Sequence, residues 1–166
     1  MSCLKINKKS IRSILLPLVT GLILLYAGAV TAQDSSKPKA ILNHQALYVS
    51  DLKKAADFYT DIIGLEKIDE PFKVGWHIWL KTGVHTSLHL IAGAPAKKEY
   101  YKNHHICFSV PSLDAFTEML KKNGISWEDV TGKKQAITTR PDGIKQLWLQ
   151  DPDGYWLEIN NDQQGF

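Results

Sequence analysis

The chain has 166 residues, of which 44% are apolar and 22% are charged. This composition is typical of one globular domain and excludes a disordered tail or a fibrous protein. The formal charge is +3, but positions 1–32 hold four basic residues and no acidic one, which leaves 16 basic against 17 acidic residues. A nearly neutral remainder gives no support to nucleic-acid binding. Only two cysteines are present, Cys3 and Cys107, so a disulfide framework is also excluded.

The first 32 residues have the pattern of a secretory signal peptide. Positions 1–13 are polar and basic, positions 14–30 form a 17-residue apolar run, and short side chains at 30–32 suit cleavage after Ala32. We predict a signal peptide over 1–32, a linker over 33–40 and a periplasmic or secreted protein that leaves the membrane on cleavage. The alternative is an uncleaved leader that anchors the chain, although ~20 residues are needed to span a bilayer.

The segment 41–92 predicts a first module of strand, helix and three strands. Ser50 or Asp51 can cap the helix, and Gly64 can end it. Apolar periodicity places the elements as follows, in chain order: 41–49, 52–63, 66–69, 76–81 and 87–91. A connector, 93–103, follows.

The segment 104–162 repeats this plan. Ser112 can cap its helix and Gly124 can end it, and the predicted elements are 105–110, 113–122, 126–130, 135–139, 145–150 and 155–160. His44, Val49 and Leu52 recur 61 positions later as His105, Val110 and Leu113. A common offset for strand and helix predicts two βαβββ modules in one α+β domain over 41–162, with a tail over 163–166.

Side-chain alternation along four of the predicted strands places one candidate metal ligand on each. The aliphatic residues of each strand share one face, which should cover the helices, and the candidates point to the other face: His44, His89, His105 and Glu158. Imidazole and carboxylate suit zinc, nickel, iron(II), manganese or cobalt, and four ligands leave room for water or substrate. A single inward histidine is usually a buried, hydrogen-bonded residue. If His89 only lines the pocket, a two-histidine, one-carboxylate site remains.

Several segments resemble the vicinal oxygen chelate superfamily, which includes glyoxalase I (lactoylglutathione lyase), extradiol dioxygenases and fosfomycin resistance proteins. The resemblance covers about residues 41–160 and is carried by Asn43-His44-Gln45-Ala46-Leu47-Tyr48-Val49-Ser50-Asp51-Leu52, Phe58-Tyr59, Ile63-Gly64-Leu65, His105-Ile106-Cys107-Phe108-Ser109-Val110 and Asp151-Pro152-Asp153-Gly154-Tyr155-Trp156-Leu157-Glu158.

The resemblance implies paired βαβββ modules that form a curved mixed sheet, with metal ligands at His44, His89, His105 and Glu158. It also implies a homodimer in which each site takes His44 and His89 from one chain and His105 and Glu158 from its partner. The bacterial glyoxalase I pattern has glutamate where this chain has His89, so Glu158 alone could act as the base.

The implied function is that of a glyoxalase-like lyase or isomerase acting on a small substrate with vicinal oxygens. Zinc or nickel, or else iron(II) or manganese, would stabilise an enediolate, and Glu158 would move the proton. The alternatives are an iron(II) dioxygenase and a non-catalytic protein that sequesters a small molecule, because one fold hosts many chemistries.

Trp79, His77 and Arg140 are weaker candidates for substrate binding. Alternation along the strand 76–81 means that either Trp76 and Ile78 or His77 and Trp79 lie on the face that carries the candidate metal ligands. Arg140, the only arginine after position 32, could hold an anionic group with two hydrogen bonds. Cys107 alternates with His105 onto the ligand face, although a small buried thiol is its more common role.

Overall fold

The first module contains one short helix and a four-stranded sheet. The computed structural model describes residues 39–163. The first-module elements are β1 (His44–Val49), α1 (Leu52–Asp57), a π-helical turn (Phe58–Ile62), β2 (Glu66–Ile68), β3 (His77–Lys81) and β4 (Ser87–Ala92). Asp51 caps α1 by accepting a hydrogen bond from the Lys54 amide. The sheet order is β1-β4-β3-β2, and only the β1–β4 pair is parallel.

The second module has the same topology. Its elements are β5 (His105–Ser109), α2 (Leu113–Lys122), β6 (Thr138–Thr139), β7 (Lys145–Gln150) and β8 (Trp156–Asn160). Ser112 caps α2, and the sheet order β5-β8-β7-β6 again places a parallel pair beside antiparallel ones. The prediction of an α+β fold built from two βαβββ modules is therefore confirmed.

Two predicted strands of the second module are wrong in whole or part. The stretch 126–130 is not a strand: Glu128 makes only isolated bridges, to Lys134 and Trp148. The strand predicted over 135–139 shrinks to β6, because Gln135 has a φ of +52° and left-handed backbone cannot continue a ladder. Within 126–130, Trp127 is buried at 4% exposure although the stretch is not a strand.

The helix predicted over 52–63 also differs. It is α-helical only to Asp57, after which the wider turn Phe58–Ile62 closes with a hydrogen bond of 3.2 Å from the Ile63 amide to the Phe58 carbonyl. Tyr59, within this turn, is fully buried. Gly64 follows with a φ of +86° and ends the helical segment as predicted.

The aliphatic rows of the strands form the core, as alternation predicted. Nine hydrophobic strand residues are at most 3% exposed: Leu47, Val49, Leu80, Leu88, Leu90, Leu147, Leu149, Leu157 and Ile159. They pack in one cluster with buried residues of both helices, including Ala55, Phe116 and Leu120. Ile106 and Phe108 of β5 are partly buried against the same cluster. The opposite faces of the sheets remain available to the polar candidates.

One turn carries polar contacts between the two modules. It spans residues 151–155, between β7 and β8, and contacts β1 and the segment that follows it. Ser50 donates both its amide and its hydroxyl to Asp153 Oδ1, at 2.7 and 2.6 Å. The Tyr155 hydroxyl lies 3.2 Å from both the amide and the carbonyl oxygen of Tyr48. These contacts hold the ends of β1 and β8 against each other.

The predicted signal peptide 1–32 lies outside the described residues, as do most of the linker 33–40 and most of the tail 163–166. Over residues 39–163, no helix has the length and apolar character that crossing a membrane requires.

Candidate metal centre

The first half of the candidate site is a cluster of imidazole rings on one face of the first sheet. In the register of the sheet, His89 pairs with Ala46 on β1 and with Trp79 on β3. The His89 ring is stacked on Trp79 at 4.1 Å between centroids and meets the rings of His77 and His44 edge-on, at 4.6 and 5.8 Å. His44 and His89 therefore lie together, as predicted.

The register also decides which side of β3 faces this cluster. His77 and Trp79 share the face of His89, whereas Ile78 packs against the core. Trp76 precedes β3, is 55% exposed and stacks on the His77 ring at 4.9 Å. Of the two alternatives for this strand, the structure therefore selects His77 and Trp79.

The environment of His89 favours a neutral imidazole. Burial lowers the pKa of His89, and the neighbouring His77 and His44 lower it further. His89 is 7% exposed, and its buried Nε2 has no hydrogen-bond partner. A metal-ligating histidine must be neutral with one nitrogen free, and His89 meets both conditions.

The second half of the site joins a histidine to a carboxylate. Nε2 of His105 lies 3.4 Å from Oε2 of Glu158. The other carboxylate oxygen, Oε1, accepts hydrogen bonds from the Asn160 amide at 3.2 Å and from the Cys107 thiol at 3.5 Å. Burial and the adjacent carboxylate raise the pKa of Cys107 to about 12, so this thiol stays protonated and donates to Glu158.

His44 and His105 are each oriented through Nδ1. Nδ1 of His44 lies 2.8 Å from Oδ1 of Asn43, and Nδ1 of His105 lies 3.1 Å from the Lys102 carbonyl oxygen. In both rings an oxygen acceptor fixes the hydrogen on Nδ1, which leaves the lone pair on Nε2. This arrangement is typical of metal-binding histidines.

Four residues at the site were not identified from the sequence: Asn43, Phe72, Trp148 and Asn160. The Trp148 ring meets the His105 ring edge-on at 4.4 Å, and the Phe72 ring lies 6.4 Å from His89. Alternation along β8 could have found Asn160, which lies two residues beyond Glu158. Trp148 pairs with Glu158 as Trp79 pairs with His89, so the repeat could have found it.

Arg140 lies near the second half but is already paired. Its guanidinium donates to the Asp142 carboxylate at 2.5 Å. Its positive charge opposes the rise in the pKa of Cys107, as a smaller effect than desolvation and Glu158. Contact of Arg140 with a substrate stays a prediction.

The four candidates thus form two pairs, His44 with His89 and His105 with Glu158. Over residues 39–163, no three histidine, cysteine or acidic side chains of one chain are grouped so as to hold a metal ion. The individual residues fit a divalent ion, because they offer neutral imidazoles and a carboxylate, the donors that zinc, nickel and iron(II) accept. Convergence of both pairs on one ion stays a prediction.

The family model of the Glyoxalase/Bleomycin resistance protein/Dioxygenase superfamily matches residues 41–159. The chain belongs to this superfamily. A lactoylglutathione lyase of Pseudomonas putida is 26% identical, with 78% of this chain and 90% of that protein covered. The metallothiol transferase FosB of Shouchella clausii is 28% identical over 72% of this chain and 78% of its own length.

Solved structures of this superfamily show the same fold. Oxidase ChaP-H2 is 25% identical and superposes with a TM-score of 0.62, over 77% of this chain and 98% of that protein. Members of the superfamily commonly are enzymes that use divalent metals and bind small molecules. These comparisons establish the superfamily and the fold of the chain.

Proposed function

We propose that the chain is an exported, metal-dependent glyoxalase-like enzyme that acts as a lyase or isomerase on a small substrate with vicinal oxygens. The observation that carries the proposal is the shared orientation of His44 and His105. Each ring has an oxygen acceptor at Nδ1, and Nε2 of His105 faces the Glu158 carboxylate at 3.4 Å. A histidine with only a packing role has no need for this arrangement.

A homodimer would complete the site. His44 and His89 lie on one module and His105 and Glu158 on the other, so a symmetric pair of chains can bring one half from each. His44 lies on β1 and His105 on β5, and each of these strands pairs with a single neighbour in the described sheets.

Glu158 is the group that would move the proton. A bound metal would act as a Lewis acid on two neighbouring oxygens of the substrate. Glu158 Oε2 would accept the proton from the carbon next to the carbonyl, and would return it to the neighbouring carbon. The Asn160 side-chain amide and the Cys107 thiol hold Oε1 in place, so Oε2, which faces His105, is the oxygen that would transfer the proton.

A second candidate is an iron(II) dioxygenase. The residues include two histidines and one carboxylate, the set that iron(II) oxygenases use. The similarity to oxidase ChaP-H2 also supports this reading. The two candidates differ in the metal and in the need for dioxygen, so metal identity separates them.

Metal analysis of protein purified without chelators tests the proposal. We expect about one zinc or nickel ion per chain in the wild type and little in His105→Ala. His85, exposed in the turn between β3 and β4, supplies the matched control, because His85→Ala should retain the metal. Turnover of α-ketoaldehyde adducts then supports the lyase, whereas iron and turnover of catechols support the dioxygenase. Wild-type protein that binds no metal would overturn both.

The proposed export is tested separately. Intact-mass analysis of the protein recovered from its native host should show loss of residues 1–32. A full-length mass in the membrane fraction would support the anchored alternative.

A further inference from the structure

A largely buried ion pair lies next to the His105–Glu158 half of the candidate site. Lys102, in the turn before β5, donates to Glu128 Oε1 at 2.5 Å, and Lys134 donates to Glu128 Oε2 at the same distance. The side chains of Lys102 and Glu128 are 19% and 11% exposed, whereas that of Lys134 is 68% exposed. Because burying two charges is costly, such a pair is weak evidence of a stabilising role.

The ammonium group of Lys102 has a complete set of partners. Besides Glu128, it donates to the carbonyl oxygens of Asp129 and Val130, at 3.2 and 3.5 Å, and it lies 4.9 Å from the centroid of the Trp156 ring. An ammonium carries three N–H donors, so each of them has an acceptor. The side chain of Lys102 therefore holds the backbone of its turn in one position.

The backbone carbonyl of the same lysine is the acceptor at Nδ1 of His105, at 3.1 Å. The imidazole has a second acceptor on its other side, because Nε2 lies 3.4 Å from Oε2 of Glu158. A neutral imidazole carries a single N–H, so the two acceptors compete for it. A carboxylate is the stronger acceptor. The hydrogen therefore favours Nδ1 only while the Lys102 carbonyl is held in place.

Glu128 also holds the residue that packs on the His105 ring. The Glu128 amide donates to the Trp148 carbonyl oxygen, and the Trp148 amide donates to the Glu128 carbonyl oxygen, each at 2.8 Å. The Trp148 ring meets the His105 ring edge-on at 4.4 Å. Two contacts of the imidazole, one at Nδ1 and one at the ring, thus lead back to Glu128 through different residues.

We propose that Lys102 and Glu128 are positioning residues for the His105 imidazole. Glu128 holds the ammonium of Lys102, and the Lys102 carbonyl keeps the imidazole hydrogen on Nδ1. Burial opposes ionisation of Glu128, but hydrogen bonds from Lys102 and Lys134 lower its pKa, so the carboxylate stays charged. Nε2 of His105 then offers its lone pair to the predicted metal. The effect on metal binding rests on the proposed function, whereas the effect on the imidazole does not.

The tautomer of His105 in the metal-free protein provides a direct test. Two-bond ¹H–¹⁵N correlations distinguish Nδ1–H from Nε2–H, and His105→Ala assigns the signals among the six histidines. Spectra are recorded at about pH 9, where imidazoles are neutral. We expect mainly Nδ1–H in the wild type and a change to mainly Nε2–H in Lys102→Met. An unchanged tautomer in that variant, or mainly Nε2–H in the wild type, would overturn the proposal.

Lys134 supplies the matched control, because it contacts the same carboxylate from the exposed side. Lys134→Met removes one positive charge, as Lys102→Met does, but leaves the turn before β5 in place, so the tautomer should not change. Should Lys102→Met fail to fold, Glu128→Gln replaces it, since an uncharged amide holds the ammonium less tightly. The same change to Nε2–H is expected there, and an unchanged tautomer would contradict the proposal.

Zinc affinity separates this inference from the proposed function. Loss of a nearby cation should by Coulomb attraction alone strengthen the binding of a divalent ion. Loss of positioning should instead weaken zinc binding by Lys102→Met about 10-fold, and Lys134→Met should show no such loss. Equal affinities of the two variants would overturn the role in metal binding.

The two measurements fail in different ways. A changed tautomer in Lys102→Met without zinc binding in the wild type would leave the positioning of His105 intact and remove the proposed function. Zinc binding in the wild type with an unchanged tautomer in Lys102→Met would do the reverse.

Discussion

The hydroxyl of Tyr59 donates a buried hydrogen bond of 2.9 Å to the carboxylate of Asp151, and so joins the first module to the second. Removing this hydroxyl in Tyr59→Phe leaves a carboxylate oxygen buried with one partner fewer. We expect a loss of about 1.5–3 kcal/mol in the free energy of unfolding, because the acceptor is charged. Denaturant unfolding measures it, and a loss below about 0.5 kcal/mol would contradict the structural role of this contact.

The same carboxylate makes stability depend on pH. Burial raises the pKa of Asp151 to about 6 from its ordinary value of 3.8. The folded chain therefore binds this proton more tightly than the unfolded chain. The resulting stabilisation is complete below pH 3.8 and is lost as the pH rises towards 6, by an amount on the order of 3 kcal/mol.

Asp151→Asn isolates that contribution. The asparagine carbonyl can still accept the amides of Asp153 and Tyr155, and its NH₂ group can donate to the Tyr59 hydroxyl oxygen. The difference in unfolding free energy, variant minus wild type, should rise between pH 4 and 6 and stay constant above pH 7. A difference that does not change over this range would refute the raised pKa.

Mixing two inactive variants tests whether the metal site is shared between chains. If each site takes His44 from one chain and His105 from its partner, a heterodimer of His44→Ala and His105→Ala has one intact site and one that lacks both. We expect each variant alone to be inactive and metal-free, and the refolded mixture to regain about a quarter of the wild-type metal content. A site within one chain would give no recovery.

Asn43 orients His44 through a side chain, so its role can be tested by mutation. Asn43→Ala removes the acceptor of the His44 Nδ1 hydrogen and should weaken metal binding about 10–100-fold. Gln45→Ala should leave metal binding unchanged, because Gln45 lies on the face of β1 opposite to His44. Competition with a chelating dye measures both affinities. Equal affinities would mean that Asn43 does not orient the ligand.

Alanine substitutions at the glycines of the two Pro-Asp-Gly turns separate the cost of backbone strain from that of a steric clash. Gly143 and Gly154 have φ values of +88° and +96°, but a Cβ at Gly143 would meet nothing within 4 Å, whereas one at Gly154 would lie 2.5 Å from the Lys98 carbonyl oxygen. Gly143→Ala should cost about 1–2 kcal/mol of unfolding free energy, and Gly154→Ala clearly more. Equal losses would show that the connector moves aside at little cost.

Local sequence signals were sufficient for several elements that are set by their own periodicity and caps. The helix Leu113–Lys122 and the strand Lys145–Gln150 begin and end at the predicted residues. Prediction failed over 126–139, where alternation alone could not show that Gln135 has left-handed backbone or that Glu128 lacks a continuous partner strand. A strand depends on its neighbour as much as on its own residues.

The same distinction holds for the site. Alternation placed His44, His89, His105 and Glu158 on the ligand faces, because the face of a residue depends only on its position within its own strand. The side of β3 that faces His89 required the register between strands, and the Lys102 carbonyl that orients His105 belongs to an irregular loop. Contacts of this kind have no periodic signal in the sequence.

His89 and Glu158 occupy matching positions in two similar sheets, each paired with a tryptophan, yet only one of them is an acid. If the predicted set holds a divalent ion, three neutral imidazoles and a single carboxylate would leave one unit of positive charge, whereas acids at both positions would cancel it. A histidine rather than an acid at position 89 can thus favour a singly charged chelating anion over an uncharged diol as the metal-bound substrate. This change of preference requires no movement of any strand.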